Sequence, residues 1–392
     1  MGGVLKHPLD AFDPVIQRAN AQGWGNSQVL EKFGWDFELL AQLGGVAPDD
    51  VTAFGGMPAM LHLPLELQRA SVDVDVFCPS KDRFEEIVRT IETELSRHDP
   101  SGRFFKFVAA TSELQLPIPK VAYHVVFPSA TGVSWLNPET KTYEPGTHVK
   151  LDALIAPPPA RAIHQGAQVL PFAYTGPHPV VPLISTTAMK LLALASGEVG
   201  LPPHRITELV KHVYDVSHLL LGINTRESLV ELIEATKDTL ELENRWHQPK
   251  SDLPSCAVAI KTTLAMLEVT VIREKAENFA DTYLRASPSA EEWALWARET
   301  RYLAYVACKK GSIDDYVETI RVDRRLLQRE LAADVARALT ADLRKELRKL
   351  DLASESPSDR FPVVLFLEIV FRRGYRAASA CVAATLGPDW DK

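Results

Sequence analysis

Residues 54–77 read FGGMPAMLHLPLELQRASVDVDVF, and the alternation at the carboxyl end of this stretch predicts a β-strand. Side chains two residues apart in a strand share one face, so Ser71, Asp73 and Asp75 would lie together while the intervening valines face the core. The two carboxylates, about 7 Å apart along the strand, repel each other unless a cation lies between them. Mg²⁺ takes one or two carboxylates plus phosphate oxygens, so the pattern favours a magnesium site. The alternative is that an Asp-x-Asp strand face is ordinary solvated surface.

A Gly-Gly pair ends the preceding apolar run and supports the metal interpretation. Glycines let the backbone approach a polyphosphate, and the N–H groups at the start of the next helix would face it. Arg69 and the Ser71 hydroxyl would then hold further phosphate oxygens. We therefore expect Gly55, Gly56, Arg69 and Ser71 to bind the substrate in a nucleotidyl transfer, where metals bridge the reacting oxygens and the protein positions charge.

The rest of the chain predicts an α+β half followed by a helical half. Helical periodicity covers residues 14–45 and 81–97, and from about residue 183 the pattern is helical to the end. We expect an α+β domain over residues 1–225 and an all-helical domain over residues 226–392. Besides the opening strand, alternating or apolar runs predict strands over residues 104–110, 120–127, 148–155 and 167–174.

Composition and charge exclude several classes of protein. The 392 residues carry a net charge of −8, which argues against a chain that coats nucleic acid with its whole surface. Four widely spaced cysteines without a Cys-x-x-Cys pair favour buried, reduced thiols. The longest apolar run, residues 361–371, is too short to span a bilayer, and the amino terminus lacks the apolar core of a signal peptide. We expect a soluble cytoplasmic protein without a membrane segment.

The pattern GG-x(12)-R-x-S-x-D-x-D resembles the first motif of the AbiEii/AbiGii-type nucleotidyltransferases, which include the MenT-type toxins, in the DNA polymerase β-like superfamily. That family implies a third acid on a later strand, then a lysine on a helix, then a K-D-x-x-D segment. Asp152, Lys190 and the segment from Lys211 to Asp215 follow in this order. His212 stands where the family usually has an aspartate.

The resemblance implies a polymerase β-like core, a mixed sheet with flanking helices, that moves a nucleoside monophosphate from an NTP to an acceptor hydroxyl and releases pyrophosphate. It implies the 3′ end of tRNA as acceptor, and a toxin with a cognate antitoxin or a phage-defence effector. Asp73 and Asp75 would hold Mg²⁺, with Asp152 as a third ligand. Its later motifs correspond to Lys190 and Asp215 as catalytic residues, with Asp215 orienting Lys190 or the attacking group, and to Lys211 as a substrate-binding residue that faces phosphate. Arg205, one to two turns upstream of Lys211, is a weaker candidate for binding phosphate and is not part of the family motif.

Each later residue also has a simpler interpretation. A lone Asp in a strand, such as Asp152, is often surface, and Lys190 on an apolar helix would usually extend its ammonium group to solvent. Lys211 and Asp215 are four residues apart and would form an ordinary helical ion pair. If Lys190 instead contacts the triphosphate, we expect its replacement by methionine to leave thermal stability unchanged or higher.

Two other functions fit the same residues. One is a nucleotidyltransferase that modifies a small molecule, as antibiotic nucleotidyltransferases do. The other is a non-catalytic scaffold whose helical half binds a protein, which His212 in place of an acid favours. Within the helical half, residues 319–350 hold nine Lys and Arg against five acids, an excess that fits either a solvated face or an RNA-backbone contact.

Overall fold

The computed structural model of the protein describes residues 17, 21, 27–71, 73–98, 106–110, 119–129, 131–137, 140–170, 173–223 and 226–267, and seven separate residues between 293 and 308. The chain divides into two compact units, Met1–Thr186 with Glu277–Ser287, and Thr187–Ala276 with Pro288–Lys392. The domain boundary at residue 225 stays a prediction.

The first unit is built on a mixed sheet. In the part of the chain that the structure describes, seven strands form this sheet in the order β3-β4-β7-β2-β1-β9-β8, and β5 pairs with β6 in a separate hairpin. The strands are β1 Thr52–Phe54, β2 Asp73–Cys78, β3 Lys106–Ala109, β4 Lys120–Phe127, β5 Ser134–Leu136, β6 Tyr143–Pro145, β7 Thr147–Ile155, β8 Ile163–Leu170 and β9 Ala173–Val180. The helices of this unit are α1 Ser27–Val46, α2 Gly56–His62 and α3 Lys81–His98.

Strand β2 lies near the centre of the sheet, antiparallel to β1 and parallel to β7. Val74 and Val76 are fully buried, whereas Asp73 and Asp75 are half-buried, as the alternation predicts. Val72 lies outside the described residues. A central strand that keeps two acids on one face must present that face to something polar, because burying unpaired carboxylates is costly.

Helix α1 is buried on most of its surface, including Leu30, Phe33, Trp35 and Leu40. Its aromatic residues are packed against the sheet, where Trp35 stacks on Phe127 with ring centroids 4.4 Å apart. The helical prediction for residues 27–45 is confirmed, while most of residues 14–26 lie outside the described residues.

The prediction of one strand over residues 167–174 is wrong. Residues 167–170 end β8 and residues 173–174 begin β9, two antiparallel strands in which Leu170 pairs with Ala173. The sequence does carry a signal there that the prediction overlooked, because Pro171, which is disfavoured inside a strand, stands between the paired Leu170 and Ala173. The short β5–β6 hairpin was not predicted either.

The second unit is helical in its described residues. The boundary between the two units falls within helix α4, Leu183–Leu192. The helices that follow are α5 Ile206–Leu219, α6 Arg226–Glu243 and α7 Leu253–Met266. Asp252 caps α7 by accepting a hydrogen bond from the Ser255 backbone N–H at 2.8 Å. The predicted helices beyond residue 267, including the basic stretch 319–350, lie almost wholly outside the described residues.

The structure bears on the predicted state of the cysteines and on the presence of membrane-spanning helices. Cys78, Cys256 and Cys308 are buried free thiols, as predicted, while Cys381 lies outside that part. Among the described residues, no helix combines the length and apolarity needed to cross a membrane.

Candidate active site

Strands β2 and β7 place two pairs of charged residues side by side. Asp73 lies opposite Lys150, and Asp75 lies opposite Asp152, in the parallel register of the two strands. Neighbouring strands are about 4.8 Å apart, so these four residues form one charged patch on a single face of the sheet. The structure thus brings Asp152 to the predicted Asp-x-Asp motif from 77 positions further along the chain than Asp75.

The Gly-Gly turn fits closely against this patch. A Cβ atom on Gly55 would collide with Oδ2 of Asp75, and a Cβ atom on Gly56 would collide with Oγ of Ser71. Gly55 also has φ 80° and ψ −131°, a conformation that residues with a side chain rarely adopt. The conformation at Gly55 therefore requires glycine, whereas a side chain at Gly56 would have to displace the Ser71 hydroxyl.

We expect Gly55→Ala to destabilise the protein more than Gly132→Ala. Gly132 also has a positive φ, of 71°, but a Cβ there meets no atom within 4 Å. Backbone strain alone costs about 1–3 kcal/mol, and overlap with Asp75 adds about 1–3 kcal/mol. Urea unfolding of the two variants measures the difference. Equal losses would show that the close contact at Gly55 is not a constraint.

Arg69 and Ser71 lie beside the same turn. Arg69 is only 3% exposed, its Nη1 donates to the Ala70 carbonyl at 2.9 Å, and its Nη2 lies 3.8 Å from the Cβ position of Gly56. The Ser71 hydroxyl donates to the Asp73 carbonyl at 3.3 Å. The structure therefore groups the predicted phosphate-binding residues at one end of β2.

Asp152 is held by two lysines that the sequence analysis did not identify. Its Oδ2 accepts from Lys150 Nζ at 2.7 Å and from Lys120 Nζ. Its Oδ1 is buried and has no hydrogen-bond partner among the described residues. Burial tends to lower the pKa of Lys150, but the hydrogen bond to Asp152 and the charges of Asp152, Asp73 and Asp75 raise it, and the net pKa lies above its usual value. Lys150 therefore stays charged and offsets the acids of the patch.

A further acid, Asp36, interacts with this patch from helix α1. Burial raises the pKa of its carboxyl well above the usual value, the charges of Asp73 and Asp75 raise it further, and Lys32 opposes them. Asp36 is fully buried, and neither of its oxygens has a hydrogen-bond partner in the described part of the chain. In the sequence it lies within a helical pattern, where nothing distinguishes it from a surface acid.

The donor set suits a hard divalent cation. The available atoms are carboxylate oxygens, including the unpartnered Oδ1 of Asp152, with no sulfur or imidazole ligand required. Among the described residues, no group of three or more His, Cys, Asp and Glu is placed to enclose a metal by itself. The residues therefore fit a cation that takes two carboxylates from the protein and its remaining ligands from water and phosphate.

In the second unit, Lys190 and Asp215 form a buried ion pair. Lys190 Nζ lies 2.8 Å from Asp215 Oδ2, and their side chains are 6% and 0% exposed. Lys190 therefore does not extend to solvent. The pair also corrects the expectation that Lys190→Met preserves stability, because that change would leave a buried carboxylate without its counter-ion.

The other predicted residues of this unit lie on or next to α5. Arg205 pairs with Glu208, its Nε 2.7 Å from Oε1, so this guanidinium serves a local ion pair in the structure. Lys211 and His212 are half-buried. Their roles, like those of every site residue predicted from the sequence, stay predictions.

Comparison with known proteins identifies the family. Residues 38–301 match the family model described as nucleotidyl transferase AbiEii toxin, type IV toxin–antitoxin system. The chain belongs to the AbiEii family. It is therefore a nucleotidyltransferase with the mixed α+β fold that the sequence predicts.

Comparisons with solved structures and with curated proteins give only weak similarity or no match. The structure of MenT4, a nucleotidyltransferase toxin from Mycobacterium tuberculosis H37Rv, is 13% identical to this AbiEii family member, covers 78% of this chain and 99% of its own, and superposes with a TM-score of 0.29. No curated protein matches the chain. The family match includes the acidic strand and the Lys190–Asp215 pair, and it begins two residues after Asp36.

Proposed function

We propose that this AbiEii family member transfers a nucleoside monophosphate from an NTP to an acceptor hydroxyl, in a Mg²⁺-dependent reaction that releases pyrophosphate. The observation that carries the proposal is the acidic face of β2 beneath the Gly-Gly turn. There, two half-buried carboxylates lie next to a turn in which Gly55 has a conformation that other residues rarely adopt, with a buried arginine alongside. This combination favours a site for a metal-bound polyphosphate over plain surface.

Asp73 and Asp75 would hold the cation. Asp152, the predicted third ligand, would have to turn its Oδ1 toward the cation as it binds, because no three acids surround one point in the described residues. The cation would neutralise charge on the phosphate oxygens. Lys150 lies next to these acids and keeps Asp152 paired. A lysine in this position limits repulsion among the acids before the nucleotide binds, since its charge offsets theirs.

Arg69, Ser71 and the two glycines would hold the phosphates. The guanidinium of Arg69 is almost fully withdrawn from solvent, so a phosphate that reaches it gains a charge-assisted hydrogen bond in a poorly screened environment. Ser71 offers a hydroxyl within the same group of residues. The absence of Cβ atoms at Gly55 and Gly56 keeps the turn from displacing Asp75 and Ser71.

Lys190 would contact the triphosphate, and Asp215 would orient it. The short, buried ion pair supports this role, because it fixes the ammonium group in a poorly screened environment, where its attraction to a phosphate is strong. Lys211 and Arg205 would add contacts to the nucleotide. Glu208 already engages Arg205, so we expect the contribution of Arg205 to be the smaller one.

The acceptor in this proposal is the 3′ end of tRNA, in the cytoplasm, and a cognate antitoxin would control the enzyme. The description of the family as toxins of type IV toxin–antitoxin systems supports the toxin role. The excess of Lys and Arg over residues 319–350 would supply contacts to the RNA backbone.

Incubation with each labelled NTP, Mg²⁺ and purified tRNA tests the proposal. We expect label to enter tRNA with one NTP at least, and to require Mg²⁺. Parallel reactions with aminoglycosides test the small-molecule alternative. No transfer to either acceptor, together with no Mg²⁺-dependent NTP binding, would favour the non-catalytic scaffold.

A further inference from the structure

Helix α1 carries two buried acids that differ in their surroundings. Glu31 is 1% exposed and accepts hydrogen bonds from the Ser129 hydroxyl at 3.0 Å and from the backbone N–H of Thr131 at 3.2 Å. Asp36 is fully buried, and the described residues offer neither of its oxygens a donor. The fold therefore satisfies one buried acid of this helix and leaves the other without a partner.

A buried carboxyl without donors destabilises the empty fold, because it has lost its water and gained no hydrogen bond. Helix α1 packs directly against β2, the strand that carries Asp73 and Asp75. In agreement with this packing, the pKa of Asp36 is raised first by burial and then by the charges of Asp73 and Asp75. A cation held by Asp73 and Asp75 would replace their repulsion of the Asp36 carboxylate by an attraction. The unpartnered oxygens of Asp36 thus lie where a cation and its water shell would be favourable.

Direct ligation by all three acids does not fit the structure. In the described part of the chain, no three acids are close enough to one point to bind a metal together. Mg²⁺ usually keeps several waters, and carboxylates outside the first ligand shell fix such waters through hydrogen bonds. Asp36 therefore fits the role of a carboxylate that holds a metal-bound water through a hydrogen bond.

We propose that Asp36 is a positioning residue of the metal site, which accepts a hydrogen bond from water carried by the cation that Asp73 and Asp75 hold. The inference rests on the proposed function, since it needs that cation. Asp36 lies outside residues 38–301, so the family match assigns it no role.

Titration of the nucleotide-free full-length protein with Mn²⁺, followed by the electron paramagnetic resonance signal of free Mn²⁺, tests the inference. We expect Asp36→Asn to weaken Mn²⁺ binding about 10-fold and Asp36→Leu up to about 100-fold, the range for residues that support a ligand shell. Glu31→Gln is the matched control, a buried acid on the same helix, and should bind Mn²⁺ as the wild type does. Asp36→Leu should melt at or above the wild-type temperature without metal, since it removes an unsatisfied polar group, whereas Asp36→Asn leaves a buried amide in its place and should melt near the wild-type temperature.

The outcomes separate this inference from the proposed function. If Asp73→Asn loses Mn²⁺ binding while both Asp36 variants keep wild-type affinity, the metal site stands and the role of Asp36 is wrong. If the wild type binds no Mn²⁺, both are wrong. Failure of both Asp36 variants to fold would also overturn the inference, because it would show that the carboxyl stabilises the empty protein.

Discussion

Asp73→Asn and Asp75→Asn should each reduce nucleotidyl transfer by at least about 100-fold, the loss typical of removing one electrostatic group that stabilises developing charge. Each change removes a carboxylate from the pair that would hold the cation. The fold should persist, because asparagine keeps the shape of the side chain and removes like-charge repulsion from the acidic face. Transfer of label from NTP at saturating Mg²⁺ measures the effect.

Asp49→Asn serves as the control for this prediction. Asp49 is an exposed acid in the turn before β1 and should keep full activity when changed. Circular dichroism melts should place both β2 variants at or slightly above the wild-type melting temperature. Wild-type transfer rates in Asp73→Asn and Asp75→Asn would refute the metal assignment.

The second large effect concerns stability. Lys190→Met should lower the free energy of unfolding by about 3–5 kcal/mol, the usual loss when one member of a buried ion pair is removed. The reason is that Asp215 has no exposed surface through which water could replace the ammonium group. Chemical unfolding of the variant and the wild type measures this difference.

A double variant separates the structural role of the pair from its proposed role in catalysis. Lys190→Met combined with Asp215→Leu removes both charges and should regain most of the lost stability, since apolar replacements of buried pairs are often neutral. Its NTP binding and transfer should stay as low as in the single variant. A stable double variant with wild-type activity would reduce the pair to a structural contact, and an unchanged stability of Lys190→Met would contradict the buried pair itself.

The sequence predicts those parts of the site that depend on a local period. Ser71, Asp73 and Asp75 are grouped by the two-residue repeat of a strand, and the Gly-Gly turn follows from the spacing within one motif. The same kind of local signal correctly predicts α1 and α3. It fails over residues 167–174, because the apolar period alone does not mark a turn, and the one turn signal in the run, Pro171, was not used.

Partners across the fold could not be predicted in this way. A local rule pairs Asp215 with Lys211, four residues away, but it does not extend to Lys190, whose Nζ the structure places 2.8 Å from Asp215. Likewise Lys120 reaches Asp152 because β4 runs antiparallel to β7, a register that neither strand reveals alone. Charge–charge contacts of this kind depend on which segments lie side by side.

The sequence by itself thus determined the acidic strand, its glycine turn and the order of the later motifs, because strand and helix periods are properties of neighbouring residues. Only the tertiary structure decided that Asp75 and Asp152 lie in register, that two lysines hold Asp152, and that Asp36 is buried with no donor among the described residues. Strand pairing and burial join residues far apart in the chain, and the free energy of each contact depends on what the rest of the fold places around it.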